Sequence, residues 1–184
     1  MKLTIGTSHG VYSVDERSGS TNPKLVLACR GAKIIIETSS SMLAGTATGI
    51  YRADAPGLDW SLGGLQGYRV RQIKKTASNN LVAGTMPAAV FKSSDEGLNW
   101  QELDSFTAYP EAQTWCLPSE PPRPAQACAI ITHASDPNRF WVGVEVGGIM
   151  YTADGGTQWS FGLPGDNPDI HTMVAQPDDP DTLF

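Results

Sequence analysis

One eight-residue pattern occurs twice in this chain, and it constrains the fold more than any other feature of the sequence. "SSDEGLNW" occupies residues 93–100, and "TADGGTQW" occupies residues 152–159. Both copies read Ser or Thr, any residue, Asp, any residue, Gly, any two residues and Trp. A duplication of this kind indicates that the chain is built from repeats, so the flanking sequence can be aligned around the two copies.

A longer repeat contains the two copies. Four segments align, each with a Gly-led turn and an apolar-aromatic strand that runs to a polar residue and Asp. They are residues 6–15, 45–54, 84–95 and 143–154, and their starts lie 39, 39 and 59 residues apart. In addition, "HASDPNRFW" (133–141) aligns with "QPDDPDTLF" (176–184) at an offset of 43 residues. A period of about 40 residues, filled with short alternating segments and Gly/Asp/Pro turns, is typical of four-stranded propeller blades.

The repeat therefore predicts an all-β fold, a β-propeller of four-stranded antiparallel blades. We expect a single domain over residues 1–184, with complete blades at about 32–63, 68–104 and 127–161. Two further blades are expected to be partial. The first supplies only strands two to four, at 2–6, 10–15 and 24–29, and the last supplies strand one at 170–176 and three residues of strand two.

The last residues predict an interrupted blade. At the offset of 43 residues, Phe184 aligns with Trp141, which lies two residues before the Gly that opens the next turn. The sequence is thus expected to stop inside a strand, as the N-terminal part of a longer propeller truncated at its C-terminus. The alternative is that residues 170–176 complete the first blade and close a four-bladed ring. An open blade edge would favour self-association.

The charges are divided between the two halves of the chain. Residues 1–92 carry eleven Lys and Arg against five Asp and Glu, whereas residues 93–184 carry two against fourteen. A general nucleic-acid binder needs one coherent basic face, so this division argues against that class. No apolar run approaches the ~20 residues that span a bilayer, and the alternating N-terminus lacks the apolar block of a signal peptide. We therefore expect a cytoplasmic protein without a membrane partner.

The three cysteines are predicted to be reduced thiols. Cys29, Cys116 and Cys128 are an odd number and have no metal-ligand spacing. Cys116 and Cys128 flank one loop and could form a bridge if the protein were exported. The three histidines form no paired motif, so we predict no metal site and no cofactor.

The duplicated pattern resembles a known repeat. Its copies are similar to the Asp-box of the bacterial neuraminidase repeat, and a degenerate third copy lies in "RADAPGLDW" (52–60). The matching residues are Ser93, Asp95, Gly97 and Trp100, then Thr152, Asp154, Gly156 and Trp159, and in the degenerate copy Asp54, Gly57 and Trp60. The whole chain resembles the sialidase-like Asp-box propellers, which are often labelled as glycosyl hydrolases of unproven activity.

The residue types in the pattern suit a tight turn better than a reaction centre. Asp and Ser or Thr hydrogen-bond to turn backbone, Gly supplies a positive φ, and Trp buries its ring while its N–H finds an acceptor. We interpret the pattern as a turn between the third and fourth strands of a blade. In that position it lies at the opposite end of the strands from the turns that line a channel mouth, so no catalytic residue is assigned to it.

A binding surface is predicted at the channel mouth. The repeat spacing of 59 residues instead of 39 marks an insertion at 104–127, a Pro-rich loop between two blades that we expect to form an ordered lid. Side chains from other turns and strand starts should reach the same face. The candidate ligand residues are His9, Arg69, Arg71, Trp115, Arg123, Glu145 and His171. The alternative for each of them is a solvated loop residue.

The predicted function is a non-catalytic binding or scaffold module for a small molecule, a glycan or a protein. The resemblance offers two alternatives: the N-terminal portion of a sialidase-like glycoside hydrolase, and an assembly factor of the photosystem type. Sialidase chemistry implies an arginine cluster, a Tyr assisted by a Glu and an Asp acid/base. The family's aromatic-Arg-Ile/Leu-Pro motif is missing, since "YRVRQ" (68–72) has no following Pro. Hydrolase activity is therefore not expected of these 184 residues.

Overall fold

The computed structural model of the protein describes residues 2–15, 22–54, 59–161, 169–177 and 179–184. Strands dominate these ranges and assemble into three four-stranded antiparallel sheets, one three-stranded sheet and two two-stranded hairpins. The prediction of an all-β propeller segment with three complete blades and two partial ones is confirmed.

The strands follow the chain in order. Blade 1 contains β1 (Lys2–Thr7), β2 (Gly10–Asp15) and β3 (Lys24–Ala28), which correspond to the second, third and fourth strands of a complete blade. Blade 2 contains β4 (Ile34–Glu37), β5 (Ser41–Thr46), β6 (Gly49–Asp54) and β7 (Trp60–Gly64). Blade 3 contains β8 (Arg69–Lys75), β9 (Leu81–Met86), β10 (Val90–Ser93) and β11 (Gln101–Glu102).

A segment with its own secondary structure separates blade 3 from blade 4. It contains α1 (Asp104–Thr107), a 3₁₀ helix (Pro110–Thr114) and a hairpin of β12 (Cys116–Leu117) and β13 (Arg123–Pro124). Blade 4 contains β14 (Ala127–Thr132), β15 (Phe140–Val144), β16 (Gly148–Thr152) and β17 (Ser160–Phe161). The C-terminal hairpin contains β18 (Ala175–Gln176) and β19 (Asp179–Leu183). No described helix has the length and apolar character that crossing a bilayer requires.

The C-terminal hairpin does not complete blade 1. Among the described strands, β18 pairs with β19 and β1 pairs only with β2, so the four-bladed ring offered as an alternative is not formed. The hairpin instead packs against blade 4, where Arg139 and Asp181 form an ion pair. The described blades therefore form an open arc.

A repeated glycine sets the distance between blades. Each of the four aligned segments begins with a Gly at the position of the second strand of its blade, and a Cβ there would collide with the start of the next blade, either its first strand or the connection that leads into it. At Gly84 it would lie 2.4 Å from the carbonyl oxygen of Ala127, and at Gly45 it would lie 2.7 Å from a methyl carbon of Val70. The other two contacts are Gly6 against Ala32 and Gly143 against Ile170. Ala32, Val70, Ala127 and Ile170 are therefore equivalent positions on successive blades.

Apolar side chains fill the spaces between blades. Since successive side chains of a strand point to opposite faces, Val82 packs toward blade 4 while Ala83 packs toward blade 2, and both are fully buried. The cluster between blades 3 and 4 also takes in Phe106 from the inserted segment. By contrast, Leu3, Ile5 and Leu25 on the outer face of blade 1 are 40%, 42% and 46% exposed.

Candidate functional site

The strands of a blade end at two different edges, and the polar groups divide between them. In an antiparallel blade, the turns between strands one and two and between strands three and four share one end, which we call the motif end because residues 93–100 and 152–159 lie there. The turns between strands two and three share the other end with the connections between blades. We call this other end the mouth.

The first copy of the motif is closed by its own hydrogen bonds. The Ser93 hydroxyl donates to Asp95 Oδ1 at 2.8 Å and accepts from the Gly97 N–H at 2.9 Å. The backbone and side-chain N–H groups of Asn99 both donate to the Asp95 carboxylate, at 2.9 and 2.7 Å. These bonds from Asn99, with those from Ser93 and the Leu98 backbone, hold the pKa of Asp95 at about 2. Trp100 Nε1–H donates to the Gly97 carbonyl at 3.2 Å.

The second copy repeats this arrangement. The Thr152 hydroxyl donates to Asp154 Oδ1 and accepts from the Gly156 N–H, both at 2.9 Å. The Gln158 N–H donates to Asp154 Oδ1 at 3.0 Å and is the main cause of a lowered pKa of Asp154. Trp159 lies among buried rings, 4.9 Å from Phe106 between ring centres, and its Nε1–H reaches Ser105 Oγ at 3.1 Å.

Glycine is required in both turns for backbone geometry and for close packing. Gly97 has φ of +84° and Gly156 has φ of +96°, a region that side-chain-bearing residues rarely adopt. A Cβ at Gly97 would lie 2.7 Å from a Leu43 methyl carbon on blade 2, and at Gly156 one would lie 2.4 Å from a Leu103 methyl carbon. At its Gly, each turn is thus packed closely against a neighbouring part of the chain.

The degenerate third copy is less complete. Gly57 lies outside the described residues. Asp54 ends β6 and pairs with Arg52, and Trp60 begins β7 and packs on the cluster between blades 1 and 2. The buried Nε1–H of Trp60 has no hydrogen-bond acceptor among the described residues, in contrast to the indole nitrogens of Trp100 and Trp159.

The mouth contains an open cavity of about 390 Å³ between the first three blades. Its lining comes from the turns after β1 and β5, the connection between blades 1 and 2, and the start of β8. The lining residues are Thr7, Ser8, Arg30, Gly31, Ala32, Lys33, Ala47, Arg69, Val70 and Arg71. Four of these side chains are cationic and none is a carboxylate.

A β-bulge presents Arg71 to this cavity. In the pairing of β8 with β9, Val70 lies opposite Thr85 and Gln72 opposite Gly84, which leaves Arg71 without a partner residue. A bulge re-aims side chains locally and is common beside functional sites. The corresponding irregularity in β14 falls at Cys128, between Ala127 and Ala129.

The glycine contacts between blades allow the mouth residues to be aligned. Because Ala32, Val70, Ala127 and Ile170 are equivalent, the residues that follow them are equivalent too. They are Lys33, Arg71, Cys128 and His171. The residues one position before are Gly31, Arg69, Gln126 and Asp169. At these positions the mouth is therefore basic at blades 2 and 3 and neutral at blade 4. It becomes acidic at the segment that leads into the C-terminal hairpin, where Asp169 lies.

The acidic side of the mouth contains Glu145, Asp169 and His171. Their oxygen and nitrogen atoms lie within 4.8 Å of one another, and His171 Nε2 is 3.4 Å from Asp169 Oδ2. Glu145 also accepts a hydrogen bond from Gln126. The charges of both sides act on Cys128: burial chiefly raises the pKa of its thiol, Arg71 opposes that shift and Glu145 adds to it.

The other candidate ligand residues lie near the mouth but outside the cationic cavity. His9 is exposed in the turn after β1, and its Nδ1 is 2.9 Å from Ser8 Oγ. Trp115 packs 5.4 Å from Phe106 and lines a smaller cavity of about 200 Å³ beside Pro87. Arg123 is exposed on β13 and donates from Nε to Ser119 Oγ at 3.3 Å. Of the seven candidates, the cavity brings together Arg69 and Arg71.

Sequence reasoning missed Arg30 and Lys33. A usable signal exists, because Lys33 and Arg71 are 38 residues apart, close to the repeat spacing of 39. The connection "CRGAK" (29–33) was outside the aligned segments, which begin at the Gly of the second strand. The contact of Gly6 with Ala32 and the backbone hydrogen bonds from Gly31 to Ser8 and from Ala47 to Arg30 show that this connection enters the mouth.

Comparison with known proteins agrees with the propeller architecture. No family model and no curated protein matches the sequence. Among solved structures, an ancestral GH74 enzyme matches with a TM-score of 0.73 and 15% identity, over 97% of this chain and 25% of that one. The extracellular domain of BT4673 from B. thetaiotaomicron matches with a TM-score of 0.70 and 14% identity, over 97% and 24%. A structure of YCF48 bound to D1 peptide matches with a TM-score of 0.58 and 14% identity, over 94% and 54%.

These likenesses define the class of fold. The matched proteins are β-propeller-type structures, and at about 15% identity they show this chain's architecture alone. The chain spans about a quarter of the length of the GH74 enzyme and of the BT4673 domain.

Proposed function

We propose that this chain is a non-catalytic binding module whose ligand enters the cavity at the mouth. The observation that carries the proposal is the cavity itself, about 390 Å³, which lies within the size range of ligand sites. Its walls come from three consecutive blades, so the glycine-set packing of the blades holds it in shape. At the motif end, by contrast, the polar groups of the two complete motifs bond to one another.

The chemistry of the lining supports binding over hydrolysis. Glycoside hydrolases generally act with two carboxyl groups that flank the scissile bond, and the lining contains none. The adjacent Ser8 and His9 are exposed in one turn, and no carboxylate among the described residues orients the His9 ring. A hydroxyl without an oriented base is a weak nucleophile.

One of the structural likenesses also supports a binding role. YCF48 is a propeller with a peptide bound, and it provides a precedent for ligand binding by this fold. The GH74 likeness keeps a hydrolase as the rival function. In this chain Glu145 and Asp169 are a carboxyl pair that the rival function could use, and their oxygens lie within 4.8 Å of each other on the acidic side of the mouth.

A blocked cavity tests the proposal. Ala47 lines the cavity, so Ala47→Trp should fill it, whereas Ala77 is exposed in the turn after β8 at the motif end and Ala77→Trp is the matched control. We expect ligand-observed NMR with a library of neutral, zwitterionic and charged fragments to find binders of the wild type and of Ala77→Trp that Ala47→Trp has lost. Binders that are unaffected by Ala47→Trp, or no binders at all, would contradict the proposal.

The catalytic rival is tested by assay. We expect no turnover of a fluorogenic sialoside by the chain. Turnover that is abolished by Arg71→Ala or by Glu145→Gln would overturn the non-catalytic assignment.

A further inference from the structure

We infer that the mouth cavity takes a ligand with at least two anionic groups of the carboxylate or phosphate type; this inference rests on the proposed function, because it names the ligand class of the same cavity. The cavity is lined by Arg30, Lys33, Arg69 and Arg71. Among the described residues, none of these four forms an ion pair with a carboxylate. The protein thus gathers four positive charges around one open volume, and in the described part of the chain none of them is held by an ion pair.

A cationic cavity of this kind favours an anion in two ways. Like charges that converge on a partly enclosed surface raise the local potential and concentrate anions there. Guanidinium groups also match the planar carboxylate and the phosphate through paired N–H donors. Three of the four cations are arginines, so the lining is suited to hydrogen-bonded recognition as well as to simple attraction.

Arg71 is the least satisfied of the four. Its side chain is half-buried, and its buried Nε–H has no hydrogen-bond acceptor among the described residues. A buried donor without an acceptor costs free energy that a bound acceptor can recover. Its place at a β-bulge shows that the strand departs from regular pairing where this residue reaches the cavity.

The division of the cations between two blades indicates a ligand with more than one anionic group. Arg30 and Lys33 belong to the connection that enters blade 2, whereas Arg69 and Arg71 start blade 3. Lys33 and Arg71 are at equivalent positions on these neighbouring blades, whose sheets pack face to face at roughly 10 Å. A single carboxylate contacts one pair, while a ligand with two anionic groups contacts both.

The acidic side of the mouth determines how the ligand is oriented in the cavity. Glu145 and Asp169 lie beyond Arg71 around the mouth, and both Arg71 and Glu145 influence the pKa of the Cys128 between them. Negative charges there repel an anionic group. The anionic end of the ligand is therefore placed at blades 2 and 3, away from the C-terminal hairpin.

Isothermal titration calorimetry with three probes tests the inference. Citrate represents carboxylates, pyrophosphate represents phosphates, and acetate is the monoanion control. At low salt, where screening is weak, we expect citrate or pyrophosphate to bind about tenfold or more tightly than acetate, which corresponds to about 1.4 kcal/mol. The tighter of the two assigns the anionic group. If neither citrate nor pyrophosphate binds more tightly than acetate does, the inference is overturned.

Charge-matched variants separate the cavity from general charge. Arg69→Gln/Arg71→Gln should weaken the tighter probe about tenfold, and Lys33→Gln on the neighbouring blade should weaken it about threefold. Lys74→Gln/Lys75→Gln removes the same charge from the same strand at exposed residues that do not line the cavity, so it should change affinity less than about twofold. Equal losses in the two double variants would show that only net charge matters, and would also overturn the inference.

The two proposals fail in different ways. If neutral fragments bind the wild type and are lost in Ala47→Trp while citrate and pyrophosphate do not bind, the binding module stands and the anionic ligand class is wrong. If no fragment and no anion binds, both are wrong. Far-ultraviolet circular dichroism of each variant confirms that the losses occur in folded protein.

Discussion

The motif end and the mouth are built from the same strands but treat their polar groups in opposite ways. At the motif end, the Asp95 carboxylate accepts bonds from Ser93 and Asn99, and the turn is closed to other partners. At the mouth, Arg69 and Arg71 face an open cavity without a carboxylate partner among the described residues. Satisfied groups stabilise the fold, whereas unsatisfied ones are available to a ligand.

The difference follows from what each turn has to do. A turn between strands three and four must reverse within a few residues against the adjacent blade, so its side chains are used by its own backbone. The mouth is where connections enter and strands begin. Its turns also use the hydroxyls of Thr7 and Thr46 for their own backbone. Arg69 and Arg71, however, have no such role in the described structure. Substitutions at the two ends should therefore have different effects, one on stability and the other on binding.

The largest expected effect is loss of a motif tryptophan. Trp159→Ala removes a ring that packs against Phe106 and Phe140 and donates to Ser105, so it should lower the free energy of unfolding by about 3–5 kcal/mol. Urea denaturation measures the change. The control is Trp60→Ala in the degenerate copy, because the indole N–H of Trp60 has no acceptor among the described residues. This variant should lower the free energy of unfolding by about half as much. An equal cost for both would show that the complete motif has no special stabilising role.

The next effect concerns the Asp95 carboxylate. Asp95→Asn weakens bonds to Asn99 and Ser93 and should cost about 1 kcal/mol at pH 7, a modest value because the carboxylate is partly exposed to solvent. The folded-state pKa of about 2 lies below the ordinary value, so this stabilisation is complete above pH ~4 and is lost as the pH falls toward 2.

Urea midpoints at several pH values measure this dependence. The difference between wild type and Asp95→Asn should shrink as the pH falls from about 4 to about 2. Asp59→Asn, an exposed aspartate outside the two complete motifs, should show little difference at any pH. A difference for Asp95→Asn that grows on acidification would have the wrong sign for this account.

A smaller effect is expected on stability at the mouth. Arg69→Gln/Arg71→Gln removes two neighbouring positive charges that have no carboxylate partner in the described structure, so the free energy of unfolding should change by less than about 0.5 kcal/mol. The same variant should lose anion affinity. A destabilisation as large as that of Asp95→Asn would show that these arginines stabilise the fold, and would remove the contrast between the two ends.

The smallest effect concerns the acidic side of the mouth. Glu145→Gln removes a negative charge from the acidic side of the mouth and should raise the affinity of the tighter polyanion about twofold, as expected for a charge that acts across partly screened space. Calorimetry measures it. Glu37→Gln, which is exposed at the motif end, should leave the affinity unchanged. A lower affinity for Glu145→Gln would indicate that Glu145 contacts the ligand favourably.

Much of the architecture could be predicted because it is local. The period of about 40 residues, the Gly and Asp turns and the alternating strands specify blades wherever they occur, and blades 2 to 4 lie where the repeat places them. The site was predicted in part. Arg69 and Arg71 follow from the start of an inner strand, but Arg30 and Lys33 lie in a connection with no strand pattern of its own.

The sequence by itself determined the blades, since each turn and strand is specified by residues close to it in the chain. Only the tertiary structure decided which side chains meet at the mouth, because that depends on glycines that bring residues about 40 positions apart into contact. The tertiary structure also decided which charged side chains of the described residues form ion pairs. Pairing depends on distance in space, and the number of positive residues in the first half of the chain does not give that distance.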